Sequence, residues 1–379
     1  MQMKKTISLL LALLAITTMF SVKTLNVYAD NTIVAPARAM VVLEGNTNEV
    51  LYEFKKDLRL PMASVTKIAT AILAIENCDL DEVIRVDDSA VGIEGTSIYL
   101  NYDEEITMEN LLYGLMLASG NDCAMAIACH IGGEGGSEKF VSMMNDFAQK
   151  LNLENTHFDN PHGLDSETHY TSAYDLAVIT SYALKNETFK EIVSTEYKTI
   201  NGNDITGDRY LKNKNKLLFS RDDCIGVKTG FTDNAGRCLV NACEKDGMQI
   251  ISVVLNCGPM FEECERLTNL AYDNFKLKTF VEPYSYVSNI KVENGDKEEI
   301  GIATINGFKK VIKIVDEAKY RVEYIIPNSI VAPVELDAVV GSVKVYFEEE
   351  EIFNEDLYAI DSSRNIDIKY LIENIIGNW

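Results

Sequence analysis

Three short groups of residues stand in one order along the chain: Ser64-Val65-Thr66-Lys67, Ser119-Gly120-Asn121 and Lys228-Thr229-Gly230. Three residues apart on a helix, Ser64 and Lys67 share one face about a turn apart, so the amine can reach the hydroxyl. A serine is a poor nucleophile until a base takes its proton, and a lysine, with an ordinary pKa of about 10.4, must be neutral to do so. Burial and a second nearby cation both push an amine toward neutrality. Lys228 is the expected second cation, which would tie the titrations of the two lysines together. Ser119 and Asn121, on a loop between helical pieces, can supply a hydroxyl that relays a proton to a leaving amine and an amide that orients the substrate backbone. Lys228 and Thr229 on a strand offer an ammonium and a hydroxyl to a carboxylate, and Gly230 lets a substrate approach the strand edge. The backbone N–H groups of Ser64 and Phe231 are the expected oxyanion hole. These are the parts of a serine acyl-transfer site for a substrate with a free terminal carboxylate.

No group is specific alone, because Ser288-Asn289-Ile290-Lys291 repeats the first pattern and Ser363-Arg364-Asn365 the second. Lys-Thr-Gly occurs once, and the ordered set carries the weight. Its separations, 55 residues from Ser64 to Ser119 and 109 from Ser119 to Lys228, leave room for a helical subdomain between catalytic pieces.

The elements that must hold these residues are legible in the apolar pattern. Residues 39–43 and 49–54 read as a hairpin across Gly45-Asn46-Thr47-Asn48. From Pro61 the period changes, and Val65, Ile68, Ala69, Ile72 and Leu73 form a helical stripe. Residues 111–131 form a second helical region, interrupted at Ser119-Gly120-Asn121 and closed by the glycines of 132–136. Residues 227–231, 239–242 and 250–255 read as strands, with a turn at 232–236. After Pro283 the texture becomes short strands at 311–315, 320–325 and 343–347, and 348–351 reads as a solvated hairpin tip. The expected organisation is a signal peptide over 1–29, an α/β catalytic domain over 30–277, a small β-rich domain over 278–362 and an amphipathic helix over 363–379. The signal peptide rests on Lys4 and Lys5 ahead of the apolar run 7–20, with Val27-Tyr28-Ala29 at the cleavage position.

A net charge of -23 argues against nucleic acid as a partner, since phosphate binding needs clustered Lys and Arg. Membrane attachment would have to rest on apolar burial. Ile368, Leu371, Ile372, Ile375, Ile376 and Trp379 follow one stripe of a terminal helix, which suits either the bilayer interface or docking on the protein's own surface. The eight cysteines are read as thiols packed as small hydrophobes rather than disulfides, and no Cys-x-x-Cys pair is present. His157, His162 and His169 match no common ligand spacing, so neither a metal nor another cofactor is expected. Asp175 is expected to cap or brace a helix, and Arg237 could help hold a carboxylate.

The chain resembles the low-molecular-mass penicillin-binding proteins, serine-type D-Ala-D-Ala carboxypeptidases. Beyond the three motifs the match runs through Pro61-Met62-Ala63-Ser64, Leu117-Ala118-Ser119-Gly120-Asn121-Asp122, Asn160-Pro161-His162-Gly163-Leu164, His169-Tyr170-Thr171-Ser172-Ala173-Tyr174-Asp175-Leu176-Ala177, Asn213-Lys214-Asn215-Lys216-Leu217-Leu218 and Val227-Lys228-Thr229-Gly230-Phe231-Thr232. The resemblance covers about residues 35 to 277. It implies a penicillin-binding, β-lactamase-like domain, an antiparallel sheet flanked by helices with a helical subdomain, then a small all-β domain. It also implies removal of the terminal D-alanine from peptidoglycan stem peptides through a Ser64 acyl-enzyme, covalent capture of β-lactams, and work on the wall side of a bacterial cytoplasmic membrane, peripherally attached or secreted. A transpeptidase or endopeptidase acting on the same peptides, or a silent wall-peptide binder, are the alternatives. A class A β-lactamase is disfavoured because no Glu-x-x-x-Asn occurs between residues 119 and 228.

Overall fold

A computed structural model describes residues 33–202 and 206–377. The expected signal peptide, Trp379 and the side chain of Ile375 lie outside the described part of the chain. In chain order the catalytic region carries β1 (Ala37–Glu44), β2 (Val50–Phe54), α1 (Lys67–Asn77), β3 (Val83–Arg85), β4 (Glu105–Thr107), α2 (Met108–Tyr113), α3 (Asn121–Gly132), α4 (Gly136–Lys150), α5 (Ala173–Leu184) and α6 (Glu187–Ser194). There follow β5 (Tyr197–Ile200), β6 (Arg209–Lys212), β7 (Cys224–Thr232), β8 (Gly236–Lys245), β9 (Met248–Cys257) and α7 (Met260–Asn274).

Five of these strands form an antiparallel sheet in the order β2-β1-β9-β8-β7. The expected hairpin is present, with Met40 opposite Phe54 and Val42 opposite Tyr52. β1 and β9 are apolar almost throughout because helices cover both faces, so successive side chains enter different cores. Val41, Leu43, Ile251, Val253 and Leu255 pack with the helical subdomain. Met40, Val42, Ile250 and Val254 pack with Cys264, Leu267 and Ala271 of α7. The strands expected at 227–231, 239–242 and 250–255 lie within β7, β8 and β9.

β7 is an edge strand with β8 on one side. Its other side meets the 3-10 turn Ala63–Thr66 that leads into α1.

The second part of the chain is built from β10 (Phe275–Val281), β11 (Tyr286–Glu293), β12 (Glu299–Ala303), β13 (Phe308–Lys313), β14 (Tyr320–Ile325), β15 (Ser329–Val331), β16 (Val339–Phe347) and β17 (Glu350–Ala359). β10 pairs with β13, and the others form a six-stranded sheet in the order β14-β16-β17-β12-β11-β15. Phe275, Leu277 and Val311 pack into the core that α7 shares with the first sheet, so the expected boundary after Leu277 falls inside a continuous strand. The strand expected over 311–315 stops at Lys313, because the chain turns into a 3-10 helix, Ile314–Lys319. That turn lets Glu317 accept from both Lys276 and Lys278, at 2.6 and 2.8 Å. Glu348 and Glu349 form the turn between β16 and β17. The C-terminal helix α8 (Ile368–Gly377) exposes Ile368, Leu371, Ile372 and Ile376. No helix among the described residues is long and apolar enough to cross a membrane.

Candidate active site

The turn that carries Ser64 is held in an unusual shape. Ala63 has φ 51°, in the left-handed region that costs a non-glycine residue energy unless its surroundings enforce it. The enforcement is a chain of hydrogen bonds running in one direction. The Asp159 N–H donates to His169 Nδ1 at 2.9 Å, which leaves the proton on Nε2, and Nε2 donates to Thr66 Oγ1 at 2.8 Å. Thr66 Oγ1 in turn donates to the Ala63 carbonyl at 2.8 Å. This requires a neutral imidazole, and burial pushes the His169 pKa down to about 4.

Gly163 packs on the same turn. Its φ is 93°, and a Cβ placed on it would fall 2.0 Å from the Ala63 carbonyl oxygen. From the other side Gly230 brings β7 in, where a Cβ would sit 3.1 Å from both the Met62 oxygen and the Ser64 nitrogen. The Ser64 turn is thus clamped between the loop at His162-Gly163 and the edge strand.

Lys67 is fully buried and is the first residue of α1. Its Nζ faces Ser64 Oγ at 3.1 Å, Asn121 Oδ1 at 2.7 Å and the His162 carbonyl at 2.5 Å. The last two groups can only accept, so they fix two N–H bonds. The third direction meets a hydroxyl, which accepts from an ammonium but donates to the lone pair of a neutral amine. Asn121 cannot turn its amide over, since its Nδ2 donates to the Glu94 carbonyl at 2.7 Å. Burial lowers the Lys67 pKa to about 7, and the charge of Lys214 adds to the effect.

Lys214 is a further cation near Lys67 that the sequence had not offered, and Lys228 is itself driven well below the usual amine range by burial and then by repulsion from Lys67 and Lys214. Lys228 is as buried as Lys67, and its Nζ donates to the Thr229 carbonyl at 3.0 Å. Among the described residues no carboxylate lies within salt-bridge distance of either amine. Two buried amines without a salt-bridged carboxylate are costly, and an anionic ligand offsets that cost.

The remaining expected residues are placed as follows. Ser119 is buried with φ 65°, ends the π-helical turn Gly114–Ala118, and its hydroxyl has no hydrogen-bond partner among the described residues. It precedes Asn121 by two residues but makes no direct bond to Ser64 or Lys67. Thr229 is half-buried on β7; Phe231 is exposed one residue past Gly230 and sits opposite the exposed Arg237. Asp175 braces rather than caps: Ser172 caps α5, while Asp175 accepts from the Asn155 N–H and Thr156 Oγ1, both at 2.8 Å. His162 and His169 are structural, one lending its carbonyl and the other its ring. Six of the eight cysteines are buried, and Cys78 and Cys129 are half-exposed.

Sequence reasoning missed the His162 carbonyl, Gly163, Lys214 and Asp122. The buried Asp122 carboxylate accepts from the N–H groups of Ile98, Leu100 and Cys123 at 3.0, 3.1 and 2.9 Å and from Ser97 Oγ at 2.6 Å, fixing the start of α3 beneath Asn121. These residues stand inside the matched segments quoted above, which was the only signal for them.

A helix-flanked antiparallel sheet whose edge strand presses against a serine turn, with a lysine poised between protonation states behind it, defines a penicillin-binding serine enzyme. The family model described as D-alanyl-D-alanine carboxypeptidase matches residues 26–258, and that described as Penicillin-binding protein 5, C-terminal domain matches 275–363. The chain belongs to the D-alanyl-D-alanine carboxypeptidase family. It is 29% identical over 352 residues to the D-alanyl-D-alanine carboxypeptidase DacF of Bacillus subtilis strain 168, covering 90% of each chain. Its structure is similar to penicillin binding protein 5 from Haemophilus influenzae, with a TM-score of 0.68 and 26% identity over 88% of this chain and 99% of that one. It is also similar to a mutant of the Streptomyces K15 DD-transpeptidase, with a TM-score of 0.60 and 32% identity over 64% of this chain and 99% of that one.

Proposed function

We propose that this serine-type D-alanyl-D-alanine carboxypeptidase removes the terminal D-alanine from peptidoglycan stem peptides, with Ser64 as the nucleophile. The observation that carries the reading is the pair of buried amines, Lys67 and Lys228, neither in salt-bridge contact with a carboxylate among the described residues. Neutral Lys67 takes the Ser64 proton as Oγ attacks the penultimate carbonyl. The backbone N–H groups of Ser64 and Phe231 hold the resulting oxyanion. Lys228 and Thr229 grip the terminal carboxylate, Asn121 orients the peptide backbone, and Gly230 gives it room along the strand. The proton on Lys67 passes through the Ser119 hydroxyl to the leaving amine, and D-alanine departs. Water, deprotonated by the same lysine, then frees Ser64 as the acyl-enzyme hydrolyses. β-Lactams acylate Ser64 in the same way and stay on it.

Ser64→Ala is expected to abolish both fluorescent penicillin labelling and D-alanine release from a peptide ending in D-Ala-D-Ala, with an unchanged melting temperature. Labelling that survives in Ser64→Ala would rule Ser64 out as the acylated residue. A second reading, transfer to an amine acceptor, draws on the Streptomyces K15 relative, which is described as a DD-transpeptidase. Adding a D-amino acid acceptor to the same assay separates it, since transfer yields an exchanged peptide and hydrolysis does not.

The protein is proposed to be exported and to work on the wall side of the cytoplasmic membrane, where its substrate lies. α8 is proposed to lie in the bilayer interface, since Ile368, Leu371, Ile372 and Ile376 are all exposed along it. With a net charge of -23, zwitterionic vesicles should bind the chain better than anionic ones. Co-sedimentation with them should be lost in Leu371→Glu/Ile372→Glu while D-alanine release stays at the wild-type rate. Equal sedimentation of that variant would overturn the anchor.

A further inference from the structure

A second cluster of reactive side chains lies away from the catalytic residues, at the far ends of the two helices that meet at Ser64. Cys78 follows the last residue of α1, and His130 sits in the last turn of α3. Between them comes Glu82, on the short loop from α1 to β3. His130 Nε2 is 3.0 Å from Glu82 Oε1, and Cys78 Sγ is 3.2 Å from Glu82 Oε2. One donor atom from each of the three lies within 4.8 Å of the other two. The loop is pinned by its backbone, with the Glu82 N–H donating to the Asp79 carbonyl at 3.1 Å, Met108 N–H to Glu82 at 3.0 Å and Glu109 N–H to Leu80 at 2.9 Å.

We propose that Cys78, Glu82 and His130 form a zinc site, one sulfur, one oxygen and one nitrogen donor with solvent in the fourth position. A tetrahedral ion with bonds of about 2.0 to 2.3 Å sets its ligand atoms a little farther apart than the two contacts to Glu82, and the thiol and imidazole, which lie within 4.8 Å of each other, close on the same ion. A thiolate with an imidazole selects zinc and its transition-metal neighbours over magnesium or calcium, which prefer oxygen alone. In the metal-free protein burial and Glu82 push the thiol up to about 12, so Cys78 keeps its proton and donates it to the carboxylate. A dication reverses that field, and binding releases the proton to solvent. One thiolate and one carboxylate then balance the two positive charges.

The three ligands stand at 78, 82 and 130 and form no compact motif, so no spacing pattern along the chain points to them. The consequence is structural. α1 opens with Lys67 and α3 opens with Asn121, whose side chains bond to each other, and the ion would tie the same two helices at their opposite ends. The site lies outside the catalytic residues, so its test does not depend on the reading of Ser64.

The test is a cobalt titration of the reduced, chelator-stripped full chain. Wild type is expected to bind one equivalent with a thiolate-to-cobalt charge-transfer band, and zinc is expected to displace the cobalt and raise the melting temperature. Cys78→Ser should lose the band, and both Cys78→Ser and His130→Gln should weaken binding by more than about tenfold. A cooperative thermal transition of the metal-free variants at the metal-free wild-type temperature shows that they are folded. Binding without the thiolate band, equal binding by Cys78→Ser, or no saturable binding would each overturn the proposal.

Discussion

Lys67→Met should lose about 10³-fold or more in acylation by penicillin, and its stability relative to wild type should improve as pH falls toward 7. The two side chains have similar length, and Met removes a buried amine that the fold holds at a cost. The Lys67 pKa falls from the ordinary amine range to about 7 in the folded protein, so between pH 7 and about 10.4 the unfolded chain binds more protons at this position. Wild-type stability therefore rises with pH through that window, by at most about 1.4 kcal/mol per unit, and the penalty is complete below pH 7. Lys67→Met lacks this slope. Urea unfolding of both proteins from pH 6 to pH 10 should show wild type gaining on the variant as pH rises. Two vacated acceptors, Asn121 Oδ1 and the His162 carbonyl, cost the variant about 1 to 3 kcal/mol each at every pH and leave that slope unchanged. Acylation by wild type should rise with pH through about 7. A pH-independent stability difference, or acylation that is flat across neutrality, would mean that Lys67 keeps an ordinary pKa and is not the base.

Gly163→Ala is expected to unseat the Ser64 turn. The new methyl would lie 2.0 Å from the Ala63 carbonyl oxygen, 2.4 Å from its carbon and 2.9 Å from Thr66 Oγ1, at a φ of 93° that alanine avoids. Backbone on both sides must move, so the loss should exceed about 4 kcal/mol or appear as a folded protein that no longer labels with penicillin. Two other glycines separate the causes. Gly92→Ala has φ 74° with nothing within 4 Å, so it carries the conformational cost alone, of order 1 to 3 kcal/mol, with labelling intact. Gly230→Ala meets the Met62 oxygen and Ser64 nitrogen at 3.1 Å without a positive φ, so β7 must shift by a few tenths of an ångström. It should keep the fold and slow acylation. Labelling of Gly163→Ala at the wild-type rate, with wild-type stability, would show that the clamp does not matter.

The helix after Pro61, the helical region 111–131, the hairpin and the strands at 227–231, 239–242 and 250–255 were legible because each leaves a periodic mark, whereas α4, α6 and α7 were not singled out. Ser64, Lys67 and Asn121 do meet through hydrogen bonds, and Gly230 does touch the turn of Ser64. What was hidden acts through the backbone or through distance in space. The His162 carbonyl that steadies Lys67 is present in every residue type, so sequence cannot single it out. Lys214 affects Lys67 from far along the chain, and only folding shows that it adds its charge there. Asp122 looks like one more acidic residue in an acidic protein until four donors are found converging on it. The end of β13 at Lys313, short of the β-branched run's end, was likewise unmarked, since the chain turns there into the 3-10 helix that carries Glu317 to Lys276 and Lys278.

The position of β7 at the rim of its sheet has one more implication. A partner on one flank leaves main-chain groups on the other without a neighbouring strand, beside the Ser64 turn. A peptide entering there can be recognised as an added strand, by its amides and its charged tail, without any appeal to which amino acids lie upstream. Selectivity would then reside in handedness and in the possession of a free end, and the same cleft could accept stem peptides whose interior residues differ from one cell wall to another.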